Sequence, residues 1–155
     1  MANNEFTKQD IISLANQMIM LQESIEDEHL KKVFKEIDII DYTLLKKIYS
    51  NVSEEHVNEP IYLKVLAPQL NTAPNRVSRI TQHLQEQGYI YWEHDDAGTY
   101  IRLSETGLAK MKKQQNLLGE YYYNVVSKIG YLRFIRLIDA MTEYRKALNE
   151  EADKL

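Results

Sequence analysis

The sequence contains no cysteine. That excludes a disulfide framework, a thiol redox switch, a cysteine nucleophile and a cysteine-ligated zinc site. No apolar run approaches the length of a membrane span, and the first residues, Met1-Ala-Asn-Asn-Glu5, lack the basic-then-apolar pattern of a signal peptide. The expectation is a cytoplasmic protein without a membrane partner. A glycine-rich phosphate loop and a nucleophile elbow are also missing, and the four histidines lack tight acidic spacing or a nucleophile nearby. The chain therefore reads as a non-enzyme with no metal and no cofactor. Nor is there a surplus of positive charge: 19 Lys and Arg stand against 23 Asp and Glu, a net −4. Bulk electrostatics alone does not mark a nucleic-acid binder here, so the distribution of charge matters more than its sum.

The charge is unevenly placed. Residues 1–61 hold six Lys/Arg and twelve Asp/Glu, residues 62–104 hold four of each, and residues 105–155 hold nine against seven. At 155 residues the chain suits one folding unit. Its organising stretch runs from Leu63 to Ile90: a short apolar segment, a tight turn, then a helix that turns Val77, Ile80 and Leu84 inward at spacings of three and four. Thr72 is a suitable N-cap, Pro74 falls in the first turn where its missing N–H has no partner to lose, and Gly88 stops the helix. Two β-rich runs, Tyr89–His94 and Thr99–Ser104, flank the turn Asp95-Asp96-Ala97-Gly98 as a hairpin. Helix, turn, helix and hairpin together form a winged helix-turn-helix core, residues 41–104.

Long helices flank this core. Thr7-Lys8-Gln9-Asp10 is a capping box with Asp for Glu, followed by Ile11, Leu14, Met18, Leu21 and Ile25 on one stripe. That helix is predicted to run on toward Phe34 and to carry His29 on the same apolar stripe. Asp41 is the expected cap of a second helix that buries Tyr42, Leu45, Ile48 and Tyr49, and Pro68 must delay or kink the short helix after Leu63. Beyond the hairpin, Ser104 caps a helix with Leu108, Met111, Leu118, Tyr122, Val125 and Ile129 that ends at Gly130. A last helix from Tyr131 presents Phe134, Ile135, Ile138, Met141, Tyr144 and Leu148, and its final residues from Asn149 read as frayed. The fold class is thus mainly α with a small β-hairpin wing, a single domain over 1–155. Its flanking helices, 6–36 and 105–150, carry more apolar surface than so small a core covers. A second copy meets that need, with Ile11, Leu14, Met18, Phe134, Ile138, Met141 and Tyr144 in the dimer interface; a monomer with its ends folded back is the alternative.

The text Leu66-Ala-Pro-Gln-Leu-Asn71, Asn75-Arg-Val-Ser-Arg-Ile80, Leu84-Gln-Glu-Gln-Gly-Tyr-Ile90 and Ile101-Arg-Leu-Ser-Glu-Thr-Gly107, in this order of elements, resembles the MarR family of bacterial transcriptional regulators. The resemblance covers about residues 6–150. It implies a homodimer bound to a pseudo-palindromic operator in double-stranded DNA, usually as a repressor, and often released by a small molecule. It places the helix of residues 72–87 in the major groove. There Arg76 and Arg79 can pair with guanine edges or phosphates, Asn75 and Gln82 can read adenine, and Thr72 and Ser78 can bond the backbone. Arg102 on the wing joins these as a DNA contact. His29, Tyr42, Tyr49 and Tyr122 are the candidates for a pocket that takes an aromatic or amphipathic effector.

One feature departs from the family. The wing tip, Glu93-His-Asp-Asp-Ala-Gly-Thr99, carries no Lys or Arg, and carboxylates are repelled by a phosphate backbone. Either Asp95 or Asp96 pairs with Arg79 and orients it, or the module works as an antirepressor-like protein-interaction unit with weak DNA binding.

Overall fold

The computed structural model describes residues 6–26, 28–70 and 73–155. Two compact units make up the chain, Met1–Gln114 and Gln115–Leu155.

The first unit opens with helix α1 (Lys8–Glu26), and its capping box forms as the sequence predicts. The Thr7 N–H donates to Asp10 Oδ2 at 2.9 Å and the Asp10 N–H returns to Thr7 Oγ1 at 3.2 Å, so two orphan donors of the first turn are satisfied. The helix expected to reach Phe34 is described as α1 and α2 (Glu28–Val33), and residue 27 between them lies outside the described residues. His29, expected on the buried stripe, is exposed on α2.

Helix α3 (Ile39–Ser50) starts from Asp38 rather than from Asp41. The Asp38 carboxylate accepts the N–H groups of Ile40 and Asp41 at 2.9 and 3.4 Å, which leaves Asp41 within the first turn and buried. Strand β1 (Ile61–Tyr62) and the short helix α4 (Leu63–Leu66) follow, and at Pro68 the chain tightens into a 3₁₀ turn, Ala67–Gln69. A proline cannot donate the next α-helical hydrogen bond, so α4 ends there. Helix α5 (Pro74–Glu86) leads into the hairpin of β2 (Ile90–Asp95) and β3 (Gly98–Leu103), and β1 adds to β3 as a third strand the sequence did not announce.

The register pairs Ile90 with Leu103 and Trp92 with Ile101 on one face of the sheet, and Tyr91 with Arg102 and Glu93 with Tyr100 on the other. Ile61, Ile90, Ile101 and Leu103 pack with Leu44, Leu45 and Ile48 of α3, Leu66 of α4, Leu84 of α5 and Met111 of helix α6 (Glu105–Ile129). Each of these large side chains contributes about 1.5–3 kcal/mol on leaving water. Ser104 caps α6: its hydroxyl accepts the Gly107 N–H at 3.0 Å and donates to the Gly88 carbonyl at 2.6 Å. Farther along α6 the buried Gln114 amide donates to the Val33 carbonyl, and its oxygen accepts the Glu36 N–H, which closes the chain end of α2 onto α6.

The second unit is the remainder of α6 and helix α7 (Tyr131–Ala152), separated by Gly130 at φ 97°. Only glycine adopts that backbone cheaply. Tyr122 meets Phe134 at 6.0 Å between ring centroids and Tyr121 edge-on at 5.4 Å. The fraying expected from Asn149 does not occur, since α7 stays helical to Ala152.

Candidate nucleic-acid interface

Helix α5 has two chemically distinct sides because its residues turn by about 100° each. Val77, Thr81 and Leu84 are buried, with Ile80 partly so, while Asn75, Arg76, Ser78, Arg79 and Gln82 are exposed. The ends are set locally. Ala73, not Thr72, is the N-cap, without a side-chain bond, and Pro74 opens the first turn; Thr72 itself lies outside the described residues. At the other end Gly88, at φ 76°, lets its N–H reach the Gln85 carbonyl and the Tyr89 N–H reach the Leu84 carbonyl, both at 2.9 Å. These two bonds are the paired closure that halts a helix at a left-handed glycine. Thr81, which sequence periodicity does not flag, is wholly buried with its hydroxyl donating to the Val77 carbonyl at 2.8 Å.

On the outward side, neither Arg76 nor Arg79 makes an ion pair or side-chain hydrogen bond among the described residues. Each guanidinium keeps its five donors for an outside acceptor. The Gln82 amide donates to Glu86 at 3.3 Å. His83, next along, has its side chain 48% exposed, with Nε2 3.2 Å from the Asp41 carboxylate.

Among the described residues the wing forms neither of the pairings with Arg79 that the sequence suggested. Asp95 does not pair with Arg79; its carboxylate accepts the Tyr62 hydroxyl at 2.5 Å and the Ala97 N–H at 2.8 Å. The Tyr62 hydrogen bond leads the causes that hold the Asp95 carboxyl below its usual range. Glu93 accepts the Tyr100 hydroxyl at 2.8 Å and one terminal nitrogen of Arg102 at 2.7 and 2.8 Å, and these bonds lower it likewise. Arg102 is paired within the hairpin: it is matched by Glu93, lies over the Tyr91 ring at 5.8 Å, and has its Nε buried without an acceptor among the described residues. Lys64 Nζ stands 5.2 Å from the Tyr62 ring centre and 3.5 Å from the Ala97 carbonyl, beside the turn. The cross-strand partners of Glu93 and Arg102 depend on sheet register, which the linear text does not display.

The remaining candidates fall in both units. Ile11, Leu14, Ile138 and Met141 are exposed, and Met18, Phe134 and Tyr144 are partly buried. In the first unit Tyr42 packs edge-on to Phe34 at 5.5 Å and its hydroxyl is raised by burial. The Tyr49 ring lies 5.4 Å from Lys46 Nζ and 6.0 Å from Lys112 Nζ. Tyr122 belongs to the second unit.

No family model matches the chain. An uncharacterized HTH-type transcriptional regulator of Bacillus subtilis (strain 168), YhjH, is 27% identical over 150 residues, which span 91% of this chain and 81% of that protein. Among solved structures, the organohalide-sensing transcriptional regulator RdhR-CbdbA1625 bound to 2,4-dichlorophenol matches with a TM-score of 0.69 at 15% identity, over 95% of this chain and 88% of that one. A mutant MarR from E. coli complexed with operator DNA matches with a TM-score of 0.63 at 16% identity, over 87% and 94%.

Proposed function

We propose that this chain, which has the winged-helix fold of the MarR-family transcriptional regulators, is a homodimeric, sequence-specific DNA-binding regulator rather than an enzyme. The observation that carries the reading is the outward side of α5, where Asn75, Arg76, Ser78, Arg79 and Gln82 stand exposed and both arginines lack protein partners among the described residues. A side of that composition offers bidentate donors to guanine, amides to adenine and charge to phosphate. Two copies related by a two-fold axis address half-sites about one helical turn, roughly 34–36 Å, apart. Occupied operators block transcription, so the protein acts as a repressor, and it works in the cytoplasm where bacterial DNA lies. MarR of E. coli has been captured on operator DNA, and RdhR with a chlorinated phenol. These precedents support DNA as one partner and a small aromatic molecule as a second, releasing one.

The internal use of Glu93 and Asp95 supports the regulator over the antirepressor-like module. Their charge is already answered by Arg102 and Tyr62, which leaves Asp96 as the wing carboxylate without such a partner among the described residues. The test is selection of bound duplex fragments from genomic DNA, followed by titration of a selected fragment at several salt concentrations. The log–log slope is expected to be negative by several units. Arg79→Ala is expected to weaken that binding by about 1–3 kcal/mol. Absence of any bound fragment at low salt would transfer the protein to the interaction-module reading.

A further inference from the structure

Among the described residues, His83 of α5 makes a charged contact with α3. Asp41, in the first turn of α3, is 6% exposed, and its Oδ2 stands 3.2 Å from Nε2 of His83. The other inward residues of α5, Val77, Thr81 and Leu84, bind it through apolar packing and a hydroxyl bonded to its own backbone. A buried carboxylate is expensive to keep ionised unless it is paired. The charged groups acting on Asp41 are Asp38, the cap of the same helix, and His83 of α5. Burial and Asp38 push the Asp41 carboxyl up, and His83 counters them in part. On α5 itself, Glu86, three residues beyond His83, is engaged by Gln82.

We propose that the Asp41–His83 contact is a proton-responsive tether that sets the seating of the DNA-reading helix, with Asp41 as a positioning residue that acts through His83. This rests on the regulator reading. Protonation of the imidazole turns a neutral hydrogen bond to a buried carboxylate into an ion pair, which tightens α5 against α3. Loss of that proton leaves Asp41 ionised with only a neutral partner, and the junction slackens. Arg76 and Arg79 ride on the same rigid helix one to two turns earlier, so a shift of its seating moves them relative to the base edges they address. Operator binding is then expected to strengthen as pH falls and to weaken as pH rises.

The experiment uses the full chain, the duplex fragment it selects from genomic DNA, and the variants Asp41→Asn and His83→Gln, which keep shape and hydrogen-bonding capacity. Affinity is measured between pH 5.5 and 8.5 at fixed ionic strength, with unfolding followed in parallel in the absence of DNA. Wild type is expected to bind about fivefold more tightly at the acid end, with both variants giving the same shallow profile. If Asp41→Asn keeps the wild-type profile while His83→Gln loses it, His83 acts directly as a cation on DNA and the tether is refuted. Identical profiles for all three chains refute it as well. The DNA-free arm separates this from a failure of the regulator reading. The Asp41–His83 coupling in a double-variant unfolding cycle is expected to be larger at pH 5.5 than at pH 8.5, and equal coupling at both overturns the proposal whether or not DNA binds.

Discussion

At the scale of single residues, the wing explains how an acidic hairpin can stand beside the helix proposed to read DNA. Glu93 and Asp95 are spent on Arg102, Tyr100 and Tyr62, so they shape the hairpin instead of repelling phosphate. Both carboxyls are held below their ordinary values by these bonds. A carboxylate lowered in the folded state adds stability above the unfolded value, near pH 4, and loses it as pH falls through the lowered value. The hairpin is therefore expected to stay closed from neutral pH down to about 4.5 and to loosen below that. Trp92, the one tryptophan and a residue of β2, reports the change. Its emission should shift to the red in acid, and Glu93→Gln should blunt the dependence on pH. An emission maximum that is constant to pH 2.5 in wild type would contradict the role given to these bonds.

At the scale of elements, the chain after α5 and the start of α6 are in close backbone contact. A Cβ on Gly107 would lie 2.1 Å from the Tyr89 carbonyl oxygen, an approach that no side chain permits. The same short stretch carries the glycine stop of α5 and both hydrogen bonds of the Ser104 hydroxyl. Gly107→Ala is expected to lower the unfolding free energy by about 1–3 kcal/mol, since backbone rather than a flexible side chain must yield. Denaturant titration measures it, with Gly119→Ala as the control because nothing lies within 4 Å of a Cβ there. Much of this level is legible in the sequence. The capping box at Thr7 and Asp10, the inward row of α5, the stop at Gly88, the four-residue turn and the Ser104 cap all depend on neighbours within a few positions. What the sequence hides depends on distant partners. Asp38 and Asp41 both precede apolar residues, and only packing against α5 decides which caps and which is buried. Gln114 looks like an ordinary polar residue until Val33 and Glu36 come to it, and Arg102 looks like a free cation until the register sets it beside Glu93. The two-residue strand β1 is too short for alternation to show.

At the scale of the whole molecule, the flanking helices are rich in apolar side chains open to solvent in a single chain. On α1 these include Ile11, Ile12, Leu14, Ile19, Met20 and Leu21; on α7 they include Leu132, Ile135, Leu137, Ile138, Met141 and Leu148. Exposed apolar surface on each of these helices suits the proposed self-association. The proposed homodimer is expected to appear in light scattering at micromolar concentration as twice the 18.2 kDa chain mass. Ile138→Asp should shift it toward the single-chain mass, and a wild-type particle of 18.2 kDa would contradict the assembly. Wild-type melting temperature should also rise with protein concentration, because association stabilises the folded state by mass action. The exposure of α1 carries a consequence for dosage. When two copies must meet before either can settle on an operator, occupancy at low expression climbs as the square of the number of chains made. A gene governed in this way switches over a narrower range of synthesis rates than one governed by a protein that acts alone.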